Sequence, residues 1–121
     1  MPDLFRLGVG IALGCHGEAS GGTYDMRQEA RLASLLAKGT TMNAAIFTAE
    51  ETSEMMTRNG ARAVELDGQV GVVEVGRKAD VTVIDYPQVH LIDERRLFSN
   101  LIYSATGRDV DLVFVGGRPL M

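Results

Sequence analysis

The sequence predicts an α/β fold in which a β-loop-α-α half, reaching to about residue 68, is followed by a β-rich half. Three observations lead to this prediction. Residues 9–14 are small or apolar on both faces, as in a strand covered on two sides within a parallel sheet. Residues 25–38 have apolar side chains at steps of three and four, the periodicity of a helix. After residue 68, β-branched clusters alternate with glycine turns, which indicates strands.

The N-terminal elements are predicted as follows. Residues 3–7 form the end of a short helix that Gly8 stops, because glycine tolerates the backbone of a C-terminal cap. The strand from Val9 to Gly14 comes next and is expected to be buried in a parallel sheet. The glycine-rich run from Gly14 to Gly22 predicts a loop, and loops after parallel strands often carry function.

Two helices are predicted after this loop. The first covers residues 25–38 and ends at Gly39. The second starts at a capping-box pattern of Thr48 and Glu51 and covers residues 49–58, because that pair satisfies free backbone amides at a helix start. The apolar face of the first helix consists of Met26, Ala30, Ala33, Leu36 and Ala37.

The β-rich half follows a break at Asn59-Gly60 and one or two further helical turns at residues 61–66. Gly116-Gly117 predicts a two-residue hairpin, and Pro119 restricts the final strand to a sheet edge. The predicted strands contain Val70, Val72 and Val73, then Val81, Val83 and Ile84, then Val110, Leu112, Val113 and Val115.

Composition narrows the classes of function. The net charge is −4 and the basic residues are scattered along the sequence, so the sequence predicts no basic patch that could bind nucleic acid. No nucleic-acid partner is therefore expected. No apolar stretch approaches the roughly 18 residues of a membrane span, so no membrane partner is expected. The N-terminus lacks the pattern of a secretory signal, and a cytoplasmic location is expected by default. Cys15 is the only cysteine, which excludes an intramolecular disulfide.

Several segments, taken in order, resemble one known family. They cover nearly all 121 positions and match the amidohydrolase branch that contains methylthioadenosine and S-adenosylhomocysteine deaminases, guanine deaminase-like proteins and triazine chlorohydrolases. The segments are Leu13-Gly14-Cys15-His16-Gly17 with Asp25-Met26, then Asn59-Gly60-Ala61-Arg62, then Gly76-Arg77-Lys78-Ala79-Asp80, then the tail at residues 100–110 with Gly116-Gly117-Arg118.

The resemblance implies a specific fold. Residues 1–68 would be the last strand and helices of a (β/α)8 barrel, and residues 69–121 the C-terminal part of the composite β-sandwich domain. A complete barrel needs at least about 200 residues, so 121 residues exclude one. The chain is therefore expected to be the C-terminal third or less of such a protein.

The resemblance also implies a chemistry, which is metal-assisted hydrolysis of carbon–nitrogen bonds in a small heterocyclic substrate. A divalent metal, usually zinc, activates water, and the ligands are a His-x-His pair on strand 1, histidines on strands 5 and 6, and an aspartate on strand 8 that also shuttles protons. His16 stands at the aspartate position and Cys15 where the family has threonine. His16 is thus the candidate catalytic and metal-binding residue, although an imidazole that ligates metal cannot also take the proton of metal-bound water.

The residues themselves leave alternatives open. Zinc needs three or four protein ligands, and the soft or nitrogen candidates are only Cys15, His16 and His90, so no cofactor is expected in this chain alone. His16 is either the remnant of a metal site or a loop histidine without a ligand role, and His90 is expected in a loop. Cys15 is expected to pack as an inert thiol. Residues expected to serve structure or solvation are Asp25, Glu29, Arg31, Arg77, Lys78, Tyr103 and Ser104.

Two hypotheses of function follow. The first is a fragment of a metal-dependent hydrolase or deaminase that is inactive alone and whose partner is the missing N-terminal barrel portion. The second is a non-catalytic structural module that forms homo-oligomers, because a strand at residues 9–14 without neighbours would expose unpaired edges. A third possibility is that Met1 results from truncation and that residues before it complete the barrel. The nucleotide sequence upstream of Met1 would decide this.

Overall fold

A computed structural model describes residues 1–86 and 94–120 of the chain. His90 lies outside the described residues. Within them, no helix is long and apolar enough to cross a membrane. The elements are α1 (Pro2–Arg6), α2 (Glu18–Gly21), α3 (Met26–Thr41), α4 (Ala49–Met56), α5 (Arg58–Ala63), β1 (Val81–Ile84), a 3-10 turn (Glu94–Arg96), α6 (Leu97–Ser99), a π-helical turn (Asn100–Ser104), a second 3-10 turn (Gly107–Asp109), β2 (Val110–Val115) and β3 (Arg118–Pro119).

The sheet is antiparallel, with three strands in the order β1-β2-β3. β1 pairs with β2 from Val81 opposite Phe114 to Ile84 opposite Val110. Gly116 and Gly117 have φ values of 56° and 78°, which suit the tight turn that joins β2 to β3. The predictions of β1, β2 and the hairpin are confirmed, and Pro119 lies in the edge strand β3.

The predicted strand at residues 9–14 is wrong. That segment forms no strand, because a strand requires a neighbour to pair with and this segment instead bonds to the helices. The N–H of Leu13 donates to the carbonyl of Met55 (3.0 Å), and the side-chain amide of Asn59 donates to the carbonyl of Ile11 (2.9 Å). A parallel sheet is likewise not present in the described part of the chain.

The predicted strand at residues 70–73 is also wrong, since residues 70–72 form bends and residue 73 has no regular structure. Gly71 has a φ of 93°, and a Cβ built there would lie 2.7 Å from the Cβ of Ala61. The segment therefore packs closely on α5 and has no side chain to offer to a sheet at this position. Gly71 cannot be replaced without moving α5 or the turn.

Helix ends differ from the predictions in three places. α3 continues past Gly39 to Thr41, where Met42 takes the left-handed conformation (φ 50°) and ends it. α5 includes Asn59 and Gly60, and the break before it lies at Thr57 (φ −123°, ψ −90°). The loop predicted from Gly14 to Gly22 contains the short helix α2.

The buried face of α3 is narrower than the apolar pattern predicted. Ala30 and Ala37 are buried, and the polar Ser34 is buried between them, whereas Leu36 is 56% exposed.

The start of α4 is as predicted from the capping-box pattern. Thr48 accepts from the N–H of Glu51 (3.2 Å), and the Glu51 carboxylate accepts from the N–H of Thr48 (2.8 Å).

The core is built around Phe47, which is fully buried in the connection between α3 and α4. Its ring meets the ring of Phe5 edge-to-face, with centroids 5.1 Å apart. The other buried members of this cluster are Ile11, Ala37, Ile46 and Met55. Phe47 itself has a positive φ of 49°, an unfavourable conformation for a non-glycine residue that its surroundings must offset.

Three side chains hold the Phe47 carbonyl. It accepts from the hydroxyl of Ser34 (2.8 Å), the ammonium of Lys38 (2.5 Å) and the hydroxyl of Thr52 (3.1 Å), whose proton is shared with the nearer Thr48 carbonyl (2.7 Å). The single hydroxyl proton of Ser34 is used for this bond, so the Tyr103 hydroxyl, 2.8 Å away, must donate to Ser34. The network thereby connects α3, α4 and the π-helical turn.

Asp25 joins the two halves of the chain. Its carboxylate caps α3 by accepting from the N–H of Arg27 (3.0 Å), and it also accepts from the N–H of Gly107 (2.9 Å), which precedes β2. Burial raises the pKa of Asp25, but the N–H and charge of Arg27, the Gln28 amide and the Gly107 N–H outweigh burial and lower that pKa below its ordinary value of 3.8. The charged form is therefore favoured in the folded state.

We expect Tyr103→Phe to lower the free energy of unfolding by about 1 kcal/mol, because it removes the hydrogen bond donated to Ser34 and keeps the ring. Urea unfolding followed by circular dichroism measures the change. Tyr24→Phe is the matched control, since Tyr24 is 71% exposed, and it should leave the unfolding midpoint unchanged. Equal effects of the two substitutions would contradict a stabilising role for the Tyr103 hydroxyl.

We expect Asp25→Asn to cost stability at neutral pH and to cost progressively less in acid. The pKa of Asp25 in the folded state lies below the ordinary value of 3.8. The charged carboxylate therefore stabilises the folded state fully above pH 3.8, and this stabilisation is lost as the pH falls through the folded-state pKa. Urea unfolding of both proteins at a series of pH values checks this. Asp3→Asn is the control, because the Asp3 side chain is 89% exposed, and its difference from the parent should not vary in the same way.

Candidate functional site

His16 is an exposed residue in the segment that leads from the core to α2. The segment is anchored on its N-terminal side, where Ile11 is buried and Leu13 is held by the Met55 carbonyl. Past Leu13 the chain leaves the core, and His16 is presented at the surface three residues later. The structure thus places the predicted site residue on a fixed support with an accessible side chain.

Cys15 is partly buried and free of any disulfide. Its thiol lies 3.7 Å from the thioether sulfur of Met26, the first residue of α3. The predicted packing role of Cys15 is consistent with this contact, and the contact shows that the segment before α2 touches the start of α3.

The residues of the chain do not fit a zinc site of the family type. Zinc is held by three or four nitrogen, sulfur or oxygen ligands. Among residues 1–86 and 94–120, no group of three His, Cys, Asp or Glu side chains lies close enough to hold a metal ion. His16 can therefore supply at most one ligand of such a site, and no hydrolytic step follows from the described residues.

A cavity of about 610 Å³ lies where the start of α3 and the end of α4 face the sheet. The guanidinium of Arg27 borders it beside Asp25, with Nε 3.5 Å from the carboxylate. Arg27 Nη1 is buried and has no hydrogen-bond partner within the described part of the chain. The remaining lining combines apolar side chains with hydroxyls and consists of Tyr24, Met26, Ser53, Met56, Thr57, Thr82, Ile84, Leu101, Gly107, Val110 and Val113. The cavity thus combines an apolar lining with a guanidinium nitrogen that has no partner within the described residues.

Three of the other polar residues that the sequence singled out have structural contacts. Asp25 caps α3, Tyr103 bonds to Ser34, and Arg77 bonds to the Asp67 carbonyl and to the Glu74 carboxylate (3.2 Å) in an exposed turn. The sequence did not single out Ser34 or Lys38. Their spacing of four residues on α3 was a usable signal, because it places a hydroxyl beside an ammonium on one helix face.

Comparison with known proteins gives close relatives. The 5-methylthioadenosine/S-adenosylhomocysteine deaminase of Moorella thermoacetica is 41% identical over 119 residues, which are 98% of this chain and 28% of that protein. The chain thus spans just over a quarter of the length of this curated relative.

Solved structures agree with this relationship. An adenosine deaminase from Xanthomonas campestris with bound zinc superimposes with a TM-score of 0.91 at 34% identity, covering 96% of this chain and 26% of that one. Atrazine chlorohydrolase from Arthrobacter aurescens, complexed with zinc, gives a TM-score of 0.86 at 26% identity over 98% of this chain and 26% of that one. These matches confirm the predicted resemblance.

The fold matches extend over both the helical half and the sheet, so they do not depend on one motif. The sequence model of the amidohydrolase family matches residues 1–120, and the chain therefore belongs to the amidohydrolase family.

Proposed function

We propose that the chain supplies the C-terminal quarter of a metal-dependent deaminase that hydrolyses a carbon–nitrogen bond of a heterocyclic substrate. In this proposal residues 1–68 close a (β/α)8 barrel and residues 69–121 complete a composite β domain. The supporting observations are the match of nearly the whole chain to about a quarter of its relatives, and the order of helices followed by an antiparallel sheet. A cytoplasmic location belongs to the same proposal.

The observation that carries the proposal is the position of His16. The anchored segment at residues 9–14 leads to the exposed His16 two residues later, and from the family resemblance alone we assign to His16 the position of the family's metal-binding aspartate. An exposed ligand at the end of a rigid support suits a site whose remaining ligands come from other strands. The chain alone is then inactive, because zinc needs more ligands than the described residues bring together.

The substrate class follows from the relatives' names. The Moorella thermoacetica relative acts on 5-methylthioadenosine and S-adenosylhomocysteine, and the Xanthomonas campestris protein is an adenosine deaminase. Identity to these two proteins, 41% and 34%, exceeds the 26% identity to the chlorohydrolase. We therefore propose an adenine-type ring with a displaceable amino group, and not a chlorinated triazine, as the substrate.

A chimaera tests the proposal. The aligned C-terminal segment of the Moorella thermoacetica deaminase is replaced with this chain, and ammonia release from methylthioadenosine is measured. We expect weak activity with His16 and an increase of at least about 100-fold in His16→Asp, since the carboxylate restores the proton shuttle. The isolated 121-residue chain should release no ammonia with zinc present.

His16→Asn is the matched control in the chimaera, because asparagine has the size of aspartate without its charge, and its activity should not exceed the weak activity of the chimaera with His16. The zinc content of each purified chimaera is measured alongside its activity. A folded, zinc-loaded chimaera in which His16→Asp remains inactive would reject the assignment of this position. Chelator-sensitive deamination by the isolated chain would reject the claim of inactivity.

A self-associating module is the second candidate function. The observation that favours it is an exposed apolar stripe on α3, formed by Leu32, Leu35 and Leu36, which are 53%, 49% and 56% exposed. Their spacing of three and four residues puts them on one side of the helix. Burying such a stripe against a second copy would remove apolar surface from water, which stabilises association by about 25 cal/mol per Å².

Under this second hypothesis the chain is a dimer with twice the 13.1 kDa mass of the monomer, and Leu32→Glu combined with Leu36→Lys gives a monomer. Light scattering coupled to size exclusion measures the mass. The control pair is Val73→Glu with Val75→Lys, since these valines are also exposed but lie away from α3, and it should leave the dimer intact. A monomeric parent chain would eliminate the hypothesis.

A further inference from the structure

Asn59 and Gly60 are a reactive pair within α5. Glycine has no side chain, so its backbone nitrogen can approach and attack the side-chain amide of a preceding asparagine. Asn59 is half-buried, and its side-chain amide donates to the Ile11 carbonyl (2.9 Å), 48 residues away in the chain. The amide that can react is therefore also the amide that anchors the segment leading to His16.

The fold does not require glycine at position 60. Gly60 lies inside α5 and does not have a positive φ. A Cβ built on Gly60 would lie 3.9 Å from the Met55 carbonyl oxygen, which is an ordinary contact. Because glycine inside a helix is less stable than alanine, Gly60 weakens α5 while it leaves the nitrogen beside Asn59 unhindered.

α5 is a segment that can open while the rest of the chain stays folded. It has six residues, it begins at the break at Thr57, and no side chain of the described residues caps its start. Helices this short are marginal without tertiary contacts. The contacts that hold α5 include the Asn59 bond and the packing of Ala61 against Gly71. Segments held by few contacts open first, so the Asn59 amide is released more often than the core unfolds.

We propose that Asn59 is a site of self-modification by deamidation, controlled by the opening of α5. When α5 opens, the Asn59 side chain leaves the Ile11 carbonyl and the Gly60 nitrogen attacks its Cγ. A carbon–nitrogen bond forms, the side-chain amino group departs as ammonia with the proton of the Gly60 nitrogen, and a cyclic imide remains. Solvent water then opens the ring to aspartate or isoaspartate. No atom is oxidised or reduced, and the step is independent of the proposed hydrolysis of a substrate.

Neither product can restore the anchor. Each carries a carboxylate, which accepts hydrogen bonds but donates none when ionised, and the Ile11 carbonyl also accepts and does not donate. Isoaspartate in addition lengthens the backbone by one methylene, which disrupts the hydrogen-bond spacing of α5. Deamidation therefore releases residues 9–14 and, with them, the support of His16.

The test is ageing of the purified 121-residue chain in mildly alkaline buffer, followed by peptide mapping with mass spectrometry. We expect aspartate and isoaspartate at Asn59, formed at least about tenfold faster in urea than in the folded chain, because the opening of α5 limits the reaction. Gly60→Ala should slow the reaction at least about tenfold even in urea, where helix stability has no influence, because its methyl group hinders the nitrogen.

The two other asparagines of the chain are internal controls. Asn43 precedes Ala44 and Asn100 precedes Leu101, so a side chain hinders the attacking nitrogen in both cases. In urea, both should react at least about tenfold more slowly than Asn59. Equal rates at the three asparagines, absence of isoaspartate at Asn59, or equal rates at Asn59 in the folded and unfolded chain would each overturn the proposal.

Asn59→Asp tests the consequence without waiting for the reaction. It should lower the urea midpoint and speed hydrogen exchange of the Leu13 amide, whose bond to the Met55 carbonyl depends on the anchored segment. Asn43→Asp is the matched control, because Asn43 is exposed, and it should leave both unchanged. Unchanged exchange of Leu13 in Asn59→Asp would reject the release of residues 9–14. None of these readouts depends on deaminase activity.

Discussion

The structure depends on one backbone carbonyl, that of Phe47. Phe47 adopts a left-handed backbone conformation while its ring is fully buried, a combination that is unfavourable by itself. Hydrogen bonds from Ser34, Lys38 and Thr52 offset it by converging on the carbonyl oxygen. A buried carbonyl without partners would cost about 1–3 kcal/mol, so loss of one donor weakens the crossing of α3 and α4 without opening it, and loss of all three would open it.

The same crossing fixes the candidate site. α4 ends where the Met55 carbonyl holds Leu13, and Asn59 in α5 holds Ile11, so the N-terminal segment is positioned by helices that follow it in sequence. Asn59 belongs to one of the segments that carry the family resemblance, and its contact gives that segment a physical role. It contains no catalytic group, but it determines where Cys15 and His16 lie.

Local chemistry made some elements predictable from sequence. The capping box of Thr48 and the Gly116-Gly117 turn act through neighbouring residues, and both occur as predicted. The errors concern elements that need a distant partner. Residues 9–14 have the composition of a buried strand, yet no described strand lies beside them, and the backbone at Gly71 packs against Ala61 of α5 instead of pairing. His16 is a candidate site residue only through family resemblance, whereas the Cys15–Met26 contact depends on tertiary structure that spacing does not encode.

In the proposed deaminase, His16 would occupy a position where the family carries a carboxylate. As a ligand in a deaminase, an imidazole would keep one bond to the metal but lose the proton shuttle, so the rate would suffer more than metal affinity. The chimaera separates these two effects, because its zinc content reports whether the imidazole ligates and its ammonia release reports whether a proton is moved. A purely structural role for His16 would leave both readouts unchanged when aspartate replaces it.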